Sequence, residues 1–116
     1  MDFDIKKITG IGDYEEVQEK TRKIYRRKVT PDTALFTSGE SPSLGENASG
    51  KVFLVINPHT IELRTDHELM RLLTEKYESV MPSRYFGRGG IEIVLAGAQL
   101  SEEELYDLAR LSYNLS

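Results

Sequence analysis

Three times in this chain a capping residue is followed three positions later by glutamate and then by apolar residues at helical spacing: Asp13 with Glu16, Thr65 with Glu68, and Ser101 with Glu104. In such a capping box the cap side chain and the later carboxylate satisfy free backbone amides reciprocally. The pattern predicts helices over residues 13–28, 66–77 and 101–114. The first has Tyr14, Val17, Thr21 and Ile24 on one stripe. Its charge is polarised: Asp13, Glu15, Glu16 and Glu19 open it, and Lys20, Arg22, Lys23, Arg26, Arg27 and Lys28 close it. That order complements a helix dipole, and Pro31 stops continuation. The second turns Leu69, Leu72, Leu73 and Tyr77 inward, and the third Leu105, Leu108, Ala109 and Ser112.

Strand patterns fill the intervals. Thr33 to Thr37 is short and apolar, and Lys51 to Ile56 is β-branched and aromatic. Ile61 to Arg64 follows the turn Asn57-Pro58-His59-Thr60, and Ser79 to Pro82 extends briefly. Ile91 to Leu95 alternates most clearly, with Ile91, Ile93 and Leu95 on one face and Glu92 and Val94 on the other. The order read is α-β(3)-α-β(2)-α. Short turns between clustered strands predict a largely antiparallel sheet of about five strands, with helices on one face. The chain therefore reads as a single α+β domain spanning 1–116, with residues 1–12 as an N-terminal arm and 38–50 as a mobile loop. The expected core is Phe53, Val55, Leu63, Leu69, Leu73, Ile93, Leu95, Leu105 and Leu108.

Composition narrows the function classes. At 116 residues the chain has length for one modest core. It contains no cysteine, which removes disulfide scaffolds, thiolate metal sites and cysteine nucleophiles together. No apolar run reaches membrane-spanning length, and the start lacks a signal-peptide pattern, so the expected location is cytoplasmic, without a membrane partner. The net charge of −4 is unlike the basic footprint of most nucleic-acid binders, so any such binding has to come from a local patch. His59 and His67 are the only histidines and lack zinc-ligand spacing. Glu102, Glu103, Glu104 and Asp107 form an acidic run that a helix start explains. No nucleophile, base or metal motif is present, so neither enzyme, metal nor cofactor is expected.

Two segments can meet an anion. In the basic run, Lys20, Arg22, Lys23, Arg26, Arg27 and Lys28 exceed what a dipole requires, and Tyr25 adds a stacking surface. In the turn from Arg84 to Gly90, the side chains of Arg84 and Arg88 beside Tyr85 and flexible amides such as Gly89 suit a phosphate or carboxylate. The plainer reading is that the glycines serve the turn and the arginines are solvated. Tyr77, Tyr85, Phe86, Tyr106 and Tyr113 read as one patch, with packed rings and hydroxyls at the rim.

From Lys51 onward the chain carries GKVFLVI, IELRTDHELMRLLTEKY, VMPSRYFGRGGIEIVLAG and LSEEELYDLARLSYNL in that order. This succession resembles the MmcQ/YjbR-like family of small bacterial proteins. TfoX N-terminal domains are similar in outline. The resemblance implies a fold like that of type III secretion chaperones, in the order α-β(3)-α-β(2)-α, and a DNA-binding role without established enzymatic activity. The functional expectation is a non-enzymatic module that binds nucleic acid through the basic helix and the Arg/Gly turn. The alternative is a protein-interaction or homodimerisation module, as secretion chaperones are.

Overall fold

The computed structural model describes residues 3–28, 51–97 and 99–116. The expected strand Thr33–Thr37 and the expected mobile loop 38–50 lie outside the described residues. The chain is a single α+β domain. A short 3-10 helix, Ile5–Lys7, precedes strands β1 (Tyr14–Glu19), β2 (Arg22–Arg27), β3 (Val52–Ile56) and β4 (Thr60–Arg64). Helix α1 (His67–Lys76), strands β5 (Val80–Ser83) and β6 (Gly87–Val94), and helix α2 (Glu102–Leu115) follow. The six strands form one sheet in the order β1-β2-β3-β4-β6-β5, and every pairing is antiparallel.

The expected first helix is instead the β1–β2 hairpin. The charge segregation that suits a helix dipole suits a hairpin better once the segment folds back at Lys20-Thr21. Glu15 then lies opposite Arg26, and Glu19 opposite Arg22. Arg22 reaches Glu19 at 2.6 Å and Lys23 reaches Glu16 at 3.7 Å. Opposite charges across strands stabilise a sheet by several tenths of a kcal/mol per pair. Lys20 adopts a φ of 55°, which lets the chain reverse within two residues. The larger constraint is β3. Its buried run Val52–Val55 has backbone donors and acceptors on both sides, and a helix at 13–28 would leave one side unpaired. Strand β2 supplies that pairing, with Ile24 opposite Val55 and Tyr25 opposite Leu54. Asp13 is no helix cap. Its carbonyl accepts from Lys28 N at 3.0 Å and from the Tyr113 hydroxyl at 2.9 Å.

The register slips between Tyr25 and Arg26, so that Tyr25 faces Leu54 and Arg26 faces Val52. The extra residue is a bulge. It sends both Phe53 and Leu54 into the main core and brings Val52 to the opposite face beside Val55.

Both helices pack on one face of the sheet, α1 on β5 and β6, α2 on β3 and β4. Ser101 caps α2 with the expected capping box. The cap of α1 is Asp66, one residue later than expected, accepting from Leu69 N at 2.7 Å. Thr65 instead extends the β4–β6 pairing, donating its N–H to Gly89 O at 2.9 Å. The helix is rotated accordingly: Met70 is buried, Leu69 is half-buried, and Leu72 is exposed rather than inward. Of the expected core, Phe53, Val55, Leu63, Ile93 and Leu105 are fully buried, and Leu73, Leu95 and Leu108 are partly buried against it. Ser112 is fully buried on α2, donating to Phe53 O and accepting from Arg64 N at 2.7 Å, which ties the helix to two strands. The N-terminal arm joins the core through Ile5 and Ile8, and Phe3 stacks on Tyr106 with centroids 4.8 Å apart.

Gly90 permits the closest approach in the sheet. A Cβ there would lie 2.5 Å from Leu63 O and 2.6 Å from Phe86 Cβ. Gly90→Ala should therefore destabilise the domain by about 1–3 kcal/mol through overpacking. Gly89→Ala, whose added methyl would meet only Phe86 O at 3.6 Å, should cost far less. Urea unfolding of the two variants side by side measures the difference.

Candidate functional site

The sheet face away from the helices carries two buried glutamates. Glu62 of β4 and Glu92 of β6 are directly opposite in register and are 2% and 1% exposed. Like charges so placed repel, and burying a charge is costly unless it is paired and hydrogen-bonded. The turn Ser83–Phe86, between β5 and β6, folds over this face and provides for both. Glu62 Oε1 accepts from the Ser83 hydroxyl at 2.8 Å and from Tyr85 N at 2.9 Å, and Oε2 accepts from Asn57 Nδ2 at 2.9 Å. Arg84 grips Glu92 with both arms of its fork, Nε to Oε1 at 2.9 Å and Nη2 to Oε2 at 2.7 Å. The Thr60 hydroxyl adds a bond to Glu92 Oε2 at 2.8 Å. Phe86 then lands on Ile24, Val52 and Val55.

These contacts set the titration behaviour. Burial alone pushes the Glu92 carboxyl up, but hydrogen bonds from Arg84 and Thr60, with the Arg84 charge, outweigh it and hold Glu92 below its ordinary value. The hydrogen bond to Glu92 raises Arg84 in turn. Arg64 lies 4.9 Å over the Phe86 ring and donates to Val52 O from Nε and Nη2, and burial holds it below its ordinary value.

The anion corner read from Arg84 to Gly90 exists, and the anions in it belong to the chain. Arg84 holds Glu92, and the Tyr85 amide holds Glu62. The Phe86 amide donates to Ser83 Oγ at 2.8 Å, and the Gly89 amide to Phe86 O at 3.2 Å. Gly87 serves the turn with a φ of 64°. Arg88 is exposed on β6.

The basic run does not form one surface. Because it is a strand, its side chains alternate between faces. Arg22 and Arg26 share the open face with Ile24, while Lys23 and Arg27 point to the helix side. Arg27 lies 4.7 Å over the Tyr113 ring and donates to Tyr113 O at 3.1 Å. Lys28 is exposed beyond the strand end. The aromatic patch divides in the same way. Tyr106 and Tyr113 are buried on the helix side, and Tyr77 packs beside them. Tyr85 and Phe86 meet edge to face on the open side, with centroids 5.0 Å apart.

The two candidate segments nevertheless meet. The Arg22 guanidinium lies 5.5 Å over the Tyr85 ring. Glu19, Lys20 and Arg22, Arg84 and Tyr85, and the Asn57-Pro58 turn surround a groove of about 660 Å³, with Glu62 in its lining and Glu19 paired with Arg22. Arg84 is 77% exposed at its side chain although bound to Glu92, so its outer edge faces solvent.

No protein-family model, curated protein or solved structure matches the chain. Among the described residues no cluster of His, Asp and Glu is arranged to hold a metal ion, and no helix is long and apolar enough to cross a membrane. The sequence reading passed over Glu62, Glu92, Ser83, Asn57 and Thr60. The available signal was a glutamate between two large apolar residues in each of two strands, Ile61-Glu62-Leu63 and Ile91-Glu92-Ile93.

Two measurements probe this network. A carboxylate depressed in the folded state adds stability that is complete above its unfolded pKa, about 4, and is lost as pH falls through the folded value. Glu92 should thus contribute to acid unfolding, and Glu92→Gln should show a shallower loss of stability below about pH 4 in denaturant titrations. Ser83→Ala removes a donor to a buried carboxylate and an acceptor for two amides. It should cost about 1–3 kcal/mol, read from the urea midpoint at neutral pH.

Proposed function

We propose that this domain is a non-enzymatic binding module that takes nucleic acid in the groove beneath the β1–β2 hairpin tip. The observation that carries the reading is the convergence of Lys20, Arg22 and Arg84 around the exposed ring of Tyr85. Cations beside an exposed aromatic face are what phosphates and bases use together: the charges track the backbone and the ring stacks a base. The groove is polar, concave and within the range of ligand-sized sites, roughly 300–1,000 Å³. Arg88, Arg26 and Lys28 would add only distant charge. Lys23 and Arg27 lie on the other side of the sheet and drop out of the proposed contact. The net charge of −4 sets the expected affinity low. The resemblance of the stretch from Lys51 to MmcQ/YjbR-like proteins supports the same reading, and a location in the cytoplasm would supply the ligand.

A second reading has its own observation. Strand β1 is an edge of the sheet among the described residues, and Val17 on it is 47% exposed. An open edge accepts a strand from another chain. Self-pairing through β1 would set Glu15, Glu16 and Glu19 of the copies close together, so a different protein suits this edge better than a homodimer.

Titration of fluorescent single-stranded DNA and RNA at low and physiological salt tests the first reading. Binding should be modest and should weaken steeply as salt rises, because released counterions drive it. Lys20→Ala combined with Arg22→Ala should weaken binding and flatten the salt slope by about 1.4. Absence of binding at low salt would remove the proposal and leave the edge-strand reading.

A further inference from the structure

The rim of the groove carries Lys20, Arg22 and Arg84 with a single acid, Glu19, and its floor is built of acceptors. Glu62 contributes a carboxylate with room for about four hydrogen bonds. Among the described residues three are filled, by Ser83, Tyr85 and Asn57. These leave Oε2 with a single donor. Asn57 also lines the groove. Its amide nitrogen is committed to Glu62 and to Thr60 Oγ1 at 3.0 Å, and its Oδ1 receives no hydrogen bond among the described residues. Acceptors with spare capacity on a groove floor favour a ligand that brings donors. They disfavour one that brings its own acceptor to the same place, since two acceptors cannot share a proton that neither carries.

Around this floor stand a ring for stacking and three cations, of which Arg22 also pairs with Glu19 and Arg84 with Glu92. A ligand matching all three features has a flat face, an amino group on its edge and a phosphate beyond. Among nucleic-acid bases, cytosine, adenine and guanine carry an exocyclic amine, whereas thymine and uracil present a carbonyl oxygen at the corresponding corner. A carboxylate accepting from the amine of cytosine is an established mode of base readout. A duplex hides these edges in its grooves, and a concave site between two turns admits an unpaired base.

We infer that the groove selects a single-stranded, amine-bearing base, with Glu62 and Asn57 as the acceptors that read it and Tyr85 as the platform on which it stacks. The inference rests on the nucleic-acid reading of the same groove and adds its specificity. A free nucleotide shares this chemistry with a base in a strand. In the strand, neighbouring phosphates also reach Lys20 and Arg22.

The test is a binding panel of dC8, dA8 and dT8 oligomers with cytidine monophosphate, measured by anisotropy and by competition at low salt. The dC8 and dA8 oligomers should bind at least about 5-fold tighter than dT8, the lower end of one good base contact. Cytidine monophosphate competing as well as dC8 would support the same site and make the source a free nucleotide. A stronger dC8 would support a strand. Equal affinity for dC8, dA8 and dT8 would overturn the base readout while leaving phosphate binding intact. No binding of any oligomer would instead fail the parent proposal. Glu62→Gln should narrow the dC8-to-dT8 ratio toward unity. Because Glu62 is buried, that variant is checked for folding by its urea midpoint. Tyr85→Ala, at a 39% exposed position, gives a second readout that avoids the core. It should lower affinity for dC8 and dA8 by roughly 5-fold or more, and an unchanged affinity would remove the stacking platform.

Discussion

The hydrogen bonding of two buried carboxylates decides how this sheet is finished. An antiparallel sheet covered by helices on one side can leave its other face to water. Here that face is closed near its centre by a four-residue turn, and the closure is electrostatic before it is apolar. Glu62 and Glu92 lie side by side in register and buried, so each needs dedicated hydrogen-bond partners. Ser83, Arg84 and the Tyr85 amide, three consecutive residues, provide them. The placement of Phe86 over Ile24, Val52 and Val55 follows from that anchoring. The carboxylates and the packing of Phe86 hold the turn inward together, and that turn covers the small second core.

The same closure gives the groove its character. A turn drawn down onto the sheet leaves a step at its outer margin, where the β1–β2 hairpin tip and the Asn57-Pro58 turn rise on the other side. The residues that hold the turn down therefore also line the depression beside it. Arg84 serves Glu92 with Nε and Nη2 and presents the rest of its fork outward. Structural and recognition roles are combined in one side chain, which complicates any attempt to separate them by truncating it. That is why Lys20 and Arg22 are the cleaner probes of the cationic rim.

Much of the fold was legible in the sequence from Lys51 onward. Strands β3, β4, β5 and β6 and both helices follow from short apolar runs broken by turn residues, and Ser101 with Glu104 behaves as its spacing implies. The first third misled for a physical reason. Tyr14, Val17, Thr21 and Ile24 satisfy a helical stripe, but Val17 and Ile24 are also register partners in a hairpin. Local charge order cannot choose between them, because a run of acids followed by a run of bases suits a dipole and a two-stranded ribbon alike. The choice was made by β3, a partner distant in sequence. In the candidate site, Arg84 and Tyr85 were visible as exposed polar and aromatic residues beside glycines. Glu62 and Glu92 were not, because alternation in a strand assigns a glutamate to solvent by default. Their burial depends on the turn that covers them, which no period of two reveals.

The bulge in β3 has a consequence for how this strand can change. With Phe53 and Leu54 both in the main core, Val52 shares its face with Val55 rather than with Leu54. The strand is thus two half-strands out of phase by one residue. Compensating substitutions along its open face are to be sought three positions apart, not two. A single-residue deletion at this point would not shift the whole register: by removing the surplus residue it would straighten the ribbon, reduce its local twist, and change the angle at which the hairpin tip overhangs the groove.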